Sequence, residues 1–304
     1  MRGIHMIPLF PEFVPLVLEH KEPVNSLLML YPPEISEHNF TNLFMWQPHY
    51  GFKISRFEKG LLCLTEPEDG EPFFLPPIGI EQPFSAVLAC LNYLRERRIN
   101  TGVQRVGETL VENHLKTDPR LVIVEDRDQF DYVYLSKNLI HLGGRAYHRK
   151  KNHLNKFKRS YAFEYRHLTD DMLEDCFKIV EEWCEVKHCD ESPALKGEEQ
   201  AITKALTNME ELSFRAGALI VEGKLEAFAI GEPLNPTTAV IHIEKANADI
   251  QGIYAAINQQ FCEHEWREFE FVNREQDLGE EGLRRAKESY QPHHYVKKYT
   301  VTLR

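Results

Sequence analysis

Ala218-Leu219-Ile220-Val221-Glu222-Gly223-Lys224-Leu225-Glu226-Ala227-Phe228-Ala229-Ile230 reads as two apolar strands reversed by a tight Glu-Gly turn, a β-hairpin. Its flanks extend the pattern. Upstream, Phe163 to Leu168 is a strand. A helix follows from a Thr169 or Asp170 cap to about Val186, with Cys176, Ile179, Val180 and Trp183 on its apolar face. A second helix, from about Glu198 to Glu211, turns Ala201, Ile202, Ala205 and Met209 inward. Downstream come a strand from Thr238 to Ala246, a helix marked by Ile253, Ile257 and Phe261, and a strand at Phe269 to Val272. A helix from Gly279 to Tyr290 and a final alternating strand from Tyr295 to Leu303 complete the half. The order is β-α-α-β-β-β-α-β-α-β. Antiparallel strands thus lead into a strand–helix–strand crossover. Such a crossover favours parallel neighbours that part to admit a ligand.

The first half mixes elements. Residues 9–30 hold a short strand and a helix, and 36–46 is helical or looped. Strands are expected near 51–56, 60–65, 72–76, 102–106, 120–124 and 132–135, with a helix over 84–97. The chain of 304 residues is long enough for two domains of roughly 150. The expected division is 1–142 and 143–304, in an α+β chain. Aromatic residues make up 11% of the sequence, enough apolar area to argue against disorder. No apolar run reaches the roughly 20 residues that span a bilayer. Met6 reads as the natural start behind a short leader.

Charge is unevenly spread. Between Asp131 and Glu164 there is no acidic residue, yet Lys137, Arg145, Arg149, Lys150, Lys151, Lys156, Lys158 and Arg159 give that window +8. The whole chain carries −11, so the remainder carries −19. Concentrated positive charge holds anions, most often phosphate. If 144–161 is helical, Tyr147, Leu154, Phe157 and Tyr161 share one side. Arg145, Arg149, Asn152, Lys156 and Arg159 share the other, with Lys150, Lys151 and Lys158 flanking. Arg145, Arg149, Lys150, Lys151, Asn152 and Lys156 are therefore the phosphate- or nucleic-acid-binding candidates. The plainer reading is a solvated basic face.

Six cysteines, Cys63, Cys90, Cys176, Cys184, Cys189 and Cys262, form no CxxC pair. They read as reduced, mostly buried thiols of a cytoplasmic protein. Cys184, His188 and Cys189 lack a second ligand pair, as do Cys262 with His264 and the His293-His294 pair, so no metal site is expected.

By element order the second half resembles the GNAT acyltransferase superfamily. In that superfamily a Gln/Arg-x-x-Gly-x-Gly/Ala turn between strand and helix binds the pyrophosphate of acyl-CoA. The turn here, Ala246 to Ala256, offers Gln251, Gly252 and then Ala255, short of the full glycine pattern. The resemblance makes Gln251, Gly252, Tyr254 and Asn273 donor-binding candidates, Asn273 contacting the donor arm. It gives Tyr290 the role of protonating the leaving group. Glu275 and Asp277, at the end of a strand, are the candidate proton acceptors. Alternatively both carboxylates cap the next helix.

Three stretches go beyond element order: Ser36 to Leu43 with Trp46, Gly144 to His153, and Asn273 to Gly279 with Tyr290 and Pro292. They resemble a bacterial family of uncharacterised proteins related to the C-terminal synthase domain of phosphatidylglycerol lysyltransferase. The resemblance runs from about residue 7 to 304. It implies two tandem GNAT-like domains, each a mixed, mostly antiparallel sheet flanked by helices, as in the Fem aminoacyltransferases. The first would be degenerate and serve the acceptor; the second, with the basic helix, would hold the donor. It implies an acyltransferase with no tightly bound cofactor, whose co-substrate is aminoacyl-tRNA or acyl-CoA and whose acceptor is a small molecule or peptide. Contact with a tRNA acceptor end would use the basic helix. The alternatives are an acyl-CoA-dependent N-acyltransferase and a non-catalytic module binding a nucleotide or phosphorylated metabolite.

Overall fold

The computed structural model describes residues 7–304, so the leader and Met6 lie outside the described residues. The chain forms two compact units. One comprises residues 7–131 with Val296–Arg304, the other Tyr132–Tyr295. The second unit is thus inserted into the first ahead of the last strand. The expected cut at 142/143 differs on both counts. Tyr132 onward already belongs with the second unit, because its strand pairs with the Phe271–Asn273 strand.

In the first unit, β1 (Val14–Pro15), β2 (Lys53–Phe57), β3 (Gly60–Thr65), β4 (Phe73–Phe74), β5 (Val103–Gly107) and β6 (Leu121–Glu125) precede the insertion. The second sheet uses β7 (Asp131–Leu135), β8 (Phe163–His167), β9 (Arg215–Val221), β10 (Lys224–Asn235), β11 (Thr238–Ala246), β12 (Phe271–Asn273) and β13 (His294–Val296). Then β14 (Lys298–Leu303) closes the first. The sheet orders are β1-β2-β3-β4-β5-β14-β6 and β13-β7-β12-β11-β10-β9-β8. In each, two parallel strands pair inside the sheet: β4 with β5, and β11 with β12. The hairpin of 218–230 is β9 and β10, turning at Glu222 and Gly223, both with positive φ.

The expected single strand over 295–303 is two strands serving different sheets, broken at Lys297. The reason is Lys298. Its side chain is fully buried, and Nζ donates to Glu37 Oε2 at 2.7 Å and to Asp131 Oδ1 at 2.6 Å, both carboxylates also buried. Asp131 further accepts from the Ser36 amide and hydroxyl, each at 2.9 Å. A lysine can leave water only where such partners wait for it, and these lie in the first unit.

The helix Pro83–Glu96 buries Ala86, Val87, Cys90, Leu91 and Leu94 against the first sheet. In the second unit the helix Ile253–Glu265 and the basic helix His148–Ser160 share one core with Leu219, Ala227, Ile241 and Val272. The helix expected over 198–211 begins earlier, at Pro193, where Ser192 caps it. Cys184 and Cys189 are joined in a disulfide, which corrects the reading of six reduced thiols. The helix Leu173–Lys187 ends at His188 in a left-handed turn, and the reversed chain brings the two cysteines to a Cα separation of 5.0 Å. Cys63, Cys90, Cys176 and Cys262 are free and buried. Among the described residues no helix is long and apolar enough to cross a membrane, and no cluster of three His, Cys, Asp or Glu is arranged for a metal ion.

Candidate functional site

The pairing of β11 with β12 lasts only from Thr238–Phe271 to Val240–Asn273. Beyond it β11 runs on to Ala246, while the other chain segment leaves the sheet at Arg274. Alternation along β11 puts His242 and Glu244 on one face. Both reach across the opening. His242 Nδ1 lies 2.7 Å from Glu275 Oε1, and Nε2 lies 3.2 Å from Glu232 Oε1. Burial opposes a charged imidazole, but hydrogen bonds to the two carboxylates outweigh it and lift His242 to about 9. Glu244 accepts from Arg274 and, at 2.8 Å, from Asn258. Glu275 holds a left-handed φ of +56°, uncommon for a residue with a side chain. The Asn273 side chain accepts its amide at 2.7 Å, and Lys287 caps the carbonyls of Arg274 and Glu275.

Tyr290 follows the helix Glu281–Glu288 and is buried, with the Lys150 ammonium 4.0 Å and the Arg274 guanidinium 4.7 Å from its ring centre. Burial pushes the phenol up to about 12. Burial, with Arg274 and Arg149 nearby, pulls Lys150 down to about 8.

Asp277 does not fit the role of proton acceptor. It is fully buried and accepts from Tyr132 Oη at 2.5 Å, from Arg284 Nε and Nη2 at 2.9 and 2.8 Å, and from the Gly279 amide at 2.9 Å. Burial acts to raise its carboxyl, yet the bonds from Arg284, Tyr132 and Gly279 hold it at about 2. Nor do Glu275 and Asp277 cap the following helix, whose N-cap is Glu280. Asp277 instead ties that helix to β7 through Arg284 and Tyr132.

The basic stretch forms a 3-10 turn, Arg145–Tyr147, and then the helix His148–Ser160. Leu154 and Phe157 are buried, as the spacing required, and the polar side is exposed. Arg149, Asn152, His153 and Lys156 line a concavity of about 530 Å³ together with Gln251. On the other side of Arg149 and His153 a second hollow, of about 420 Å³, is lined by Lys150, Arg285, Ala286 and Ser289. The structure therefore brings the basic helix, the strand–helix turn and the last helix of the unit together. Arg145 and Lys151 are exposed and line neither hollow.

The remaining donor candidates divide. Gly252 is left-handed at φ +88°, and a Cβ there would sit 2.6 Å from the His153 carbonyl oxygen. The glycine therefore lets the helix Ile253–Glu265 start against the basic helix. Tyr254 is half exposed, its hydroxyl turned back to the Ala246 carbonyl at 3.3 Å. Asn273 is wholly buried and shapes the loop that carries Glu275. Sequence reading missed His242, Glu232, Glu244, Arg274 and Arg285. The visible signal for two of them was His242 and Glu244 interrupting the apolar run of β11 at alternate positions.

The model of the family "Phosphatidylglycerol lysyltransferase, C-terminal" matches residues 28–302, and the chain belongs to that family. A crystallised conserved protein of unknown function from Bacteroides thetaiotaomicron VPI-5482 is 30% identical, covering 96% of this chain and 99% of its own, with a TM-score of 0.88. The structure of L-PGS from Bacillus licheniformis is 14% identical, covers 93% of this chain and 91% of that one, and superposes with a TM-score of 0.64, a likeness of fold. An uncharacterized protein of Mycoplasmoides gallisepticum is 24% identical over 177 residues, 56% of this chain. The match spans 55% of that curated relative's length. The fold is two units, each a mixed sheet flanked by helices.

Proposed function

We propose that the chain is an aminoacyltransferase that takes its acyl group from aminoacyl-tRNA and passes it to an amine or hydroxyl, with the donor end held by the second unit. The observation that carries this reading is the convergence of Arg149, Asn152, Lys156 and Gln251 on one concavity, with Lys150 and Arg285 in the hollow beside it. Such a surface suits a chain of phosphates.

Two features favour an ester of ribose over a thioester of CoA. The single glycine of the strand–helix turn is taken up in packing on His153, so the turn lacks the spare glycines of a pyrophosphate cradle. The Tyr290 phenol, at about 12, is a poor acid toward a thiolate, whose conjugate acid lies near ~8.5. It is better matched to a departing ribose alkoxide. In the proposed step the acceptor's nitrogen or oxygen attacks the aminoacyl carbonyl, the carbonyl–ribose oxygen bond breaks, and Tyr290 gives its proton to the ribose oxygen. Glu275, hydrogen-bonded to His242, receives the acceptor's proton through water.

Single-turnover assays with aminoacyl-tRNA test this. Tyr290→Phe and Glu275→Gln should each slow transfer by ~10²–10⁴-fold while tRNA binding holds. Unchanged rates per folded molecule would remove the roles, and turnover with acyl-CoA alone would favour a CoA-dependent N-acyltransferase.

A further inference from the structure

The first unit contains a cavity of about 490 Å³ that the transfer chemistry leaves unused. Its origin is topological. The parallel strands β4 and β5 meet at Phe74 and Val103 and then part. After β4 the chain turns away through Leu75, Pro76 and Pro77 to bridge Leu61 at Ile78. After β5 it enters the short helix Glu108–Leu110. Residues at or just beyond the ends of both strands, Pro76 to Gly79 with Gly107, Thr109 and Leu110, contribute to the lining. The gap beyond the carboxyl ends of diverging parallel strands is where open sheets take ligands.

The lining has a definite chemistry. Leu28, Ile35, Ile78 and Leu110 make it apolar, and Pro76 and Pro77 offer no N–H. Among the described residues no lysine or arginine lines it; its carboxylates are Glu34 and Glu81. His38 donates from Nε2 to the Pro76 carbonyl at 3.1 Å, and burial pulls it down to about 4, so it is neutral at pH 7. Glu34 stands where the strands diverge: a Cβ on Gly107 would lie 3.0 Å from Glu34 Oε2. It accepts from the Thr109 hydroxyl and amide, but no cation pairs with it among the described residues. Burial raises its carboxyl, and Glu108 and Asp131 add to the rise. A carboxylate over an apolar cavity, close to like charges and lacking a counterion, is complementary to a cation.

We propose that this cavity binds a primary ammonium group carried on an apolar body, the ammonium against Glu34 and the body along the proline-lined wall. Its use as the acceptor amine rests on the transferase reading; the binding does not. Phosphates and carboxylates are disfavoured by the sign of the lining.

Calorimetric titration of the full chain with n-hexylammonium, and with hexanol and hexanoate as matched controls, tests the assignment. Saturable binding of n-hexylammonium is expected, with hexanol and hexanoate each weaker by about tenfold or more. Glu34→Gln should weaken the amine by about tenfold, the worth of a charge-assisted hydrogen bond, and leave hexanol unchanged. Leu28→Trp, a filling change at a half-buried position, should abolish binding of both while thermal unfolding shows an intact fold. Hexanoate binding as tightly as the amine, Glu34→Gln binding the amine like the parent, or no saturable binding at all would each overturn the proposal. None of those results bears on tRNA binding by the second unit, which is read separately.

Discussion

The two units share a plan and differ in what occupies the parting of their parallel strands. In the first, β4 and β5 diverge around an apolar cavity lined by carboxylates, with no lysine or arginine among the described residues. In the second, the opening beyond β11 and β12 is crossed by His242–Glu275 and Arg274–Glu244, and basic side chains line the hollows nearby. One backbone topology therefore presents opposite charge, and the side chains alone set the sign of what each unit can hold. The first unit buries a cluster of ion pairs on Lys298. The second sets Arg149, Lys151, Lys156 and Arg159 on an exposed helix face.

Lys298→Met should have the largest effect on folding. It takes the ammonium from two buried carboxylates, leaving Glu37 with Arg105 Nε 3.7 Å away, and breaking a buried pair this way costs about 3–5 kcal/mol. Hydrogen exchange should show protection lost in β5, β6 and β14 and kept in β9 to β11. Loss spread evenly over both sheets would break the distinction drawn between the units.

The second unit should answer to pH through His242. Its folded value of about 9 exceeds the ordinary 6.5. The stabilisation is therefore complete below about 6.5 and lost as pH rises through about 9, on the order of 3 kcal/mol in all. Chemical denaturation from pH 6 to 10 should show this loss, and His242→Gln should flatten it. An unchanged slope in that variant would assign the dependence elsewhere.

The smallest effect on stability should come from reversing Arg149 and Lys156 to Glu. Both are exposed, so unfolding should shift by no more than about 0.5 kcal/mol. Binding of tRNA should nevertheless fall sharply, and its salt dependence should flatten by about 0.9 for each phosphate no longer neutralised. Hexylammonium binding by the first unit should be untouched. Equal damage to both ligands would undo the opposition between the units.

Much of the local structure was legible in the residues. The 218–230 hairpin, the helix over 84–97 and the apolar stripe of Leu154 and Phe157 follow from periodicity and turn chemistry. The basic segment was also plain, and the structure joins four of its six named residues to the two hollows. The carboxylates at the end of β12 were not separable by sequence. Asp277 and Glu275 look alike there, and only the folded chain shows Asp277 held by Arg284 and Tyr132 while Glu275 meets His242.

The sequence by itself determined the order of elements, the uneven charge and the family, because propensity, alternation and motif spacing are properties of neighbours along the chain. The tertiary structure alone decided that the last strand divides at Lys297 and that Cys184 bonds Cys189. It also decided that Gly252 serves a helix contact and that Asp277 is spent on packing. Each of these depends on which groups meet after the chain has folded and lost its water. Lys298 finds Glu37 and Asp131 across 261 and 167 residues, a separation over which no local pattern carries information.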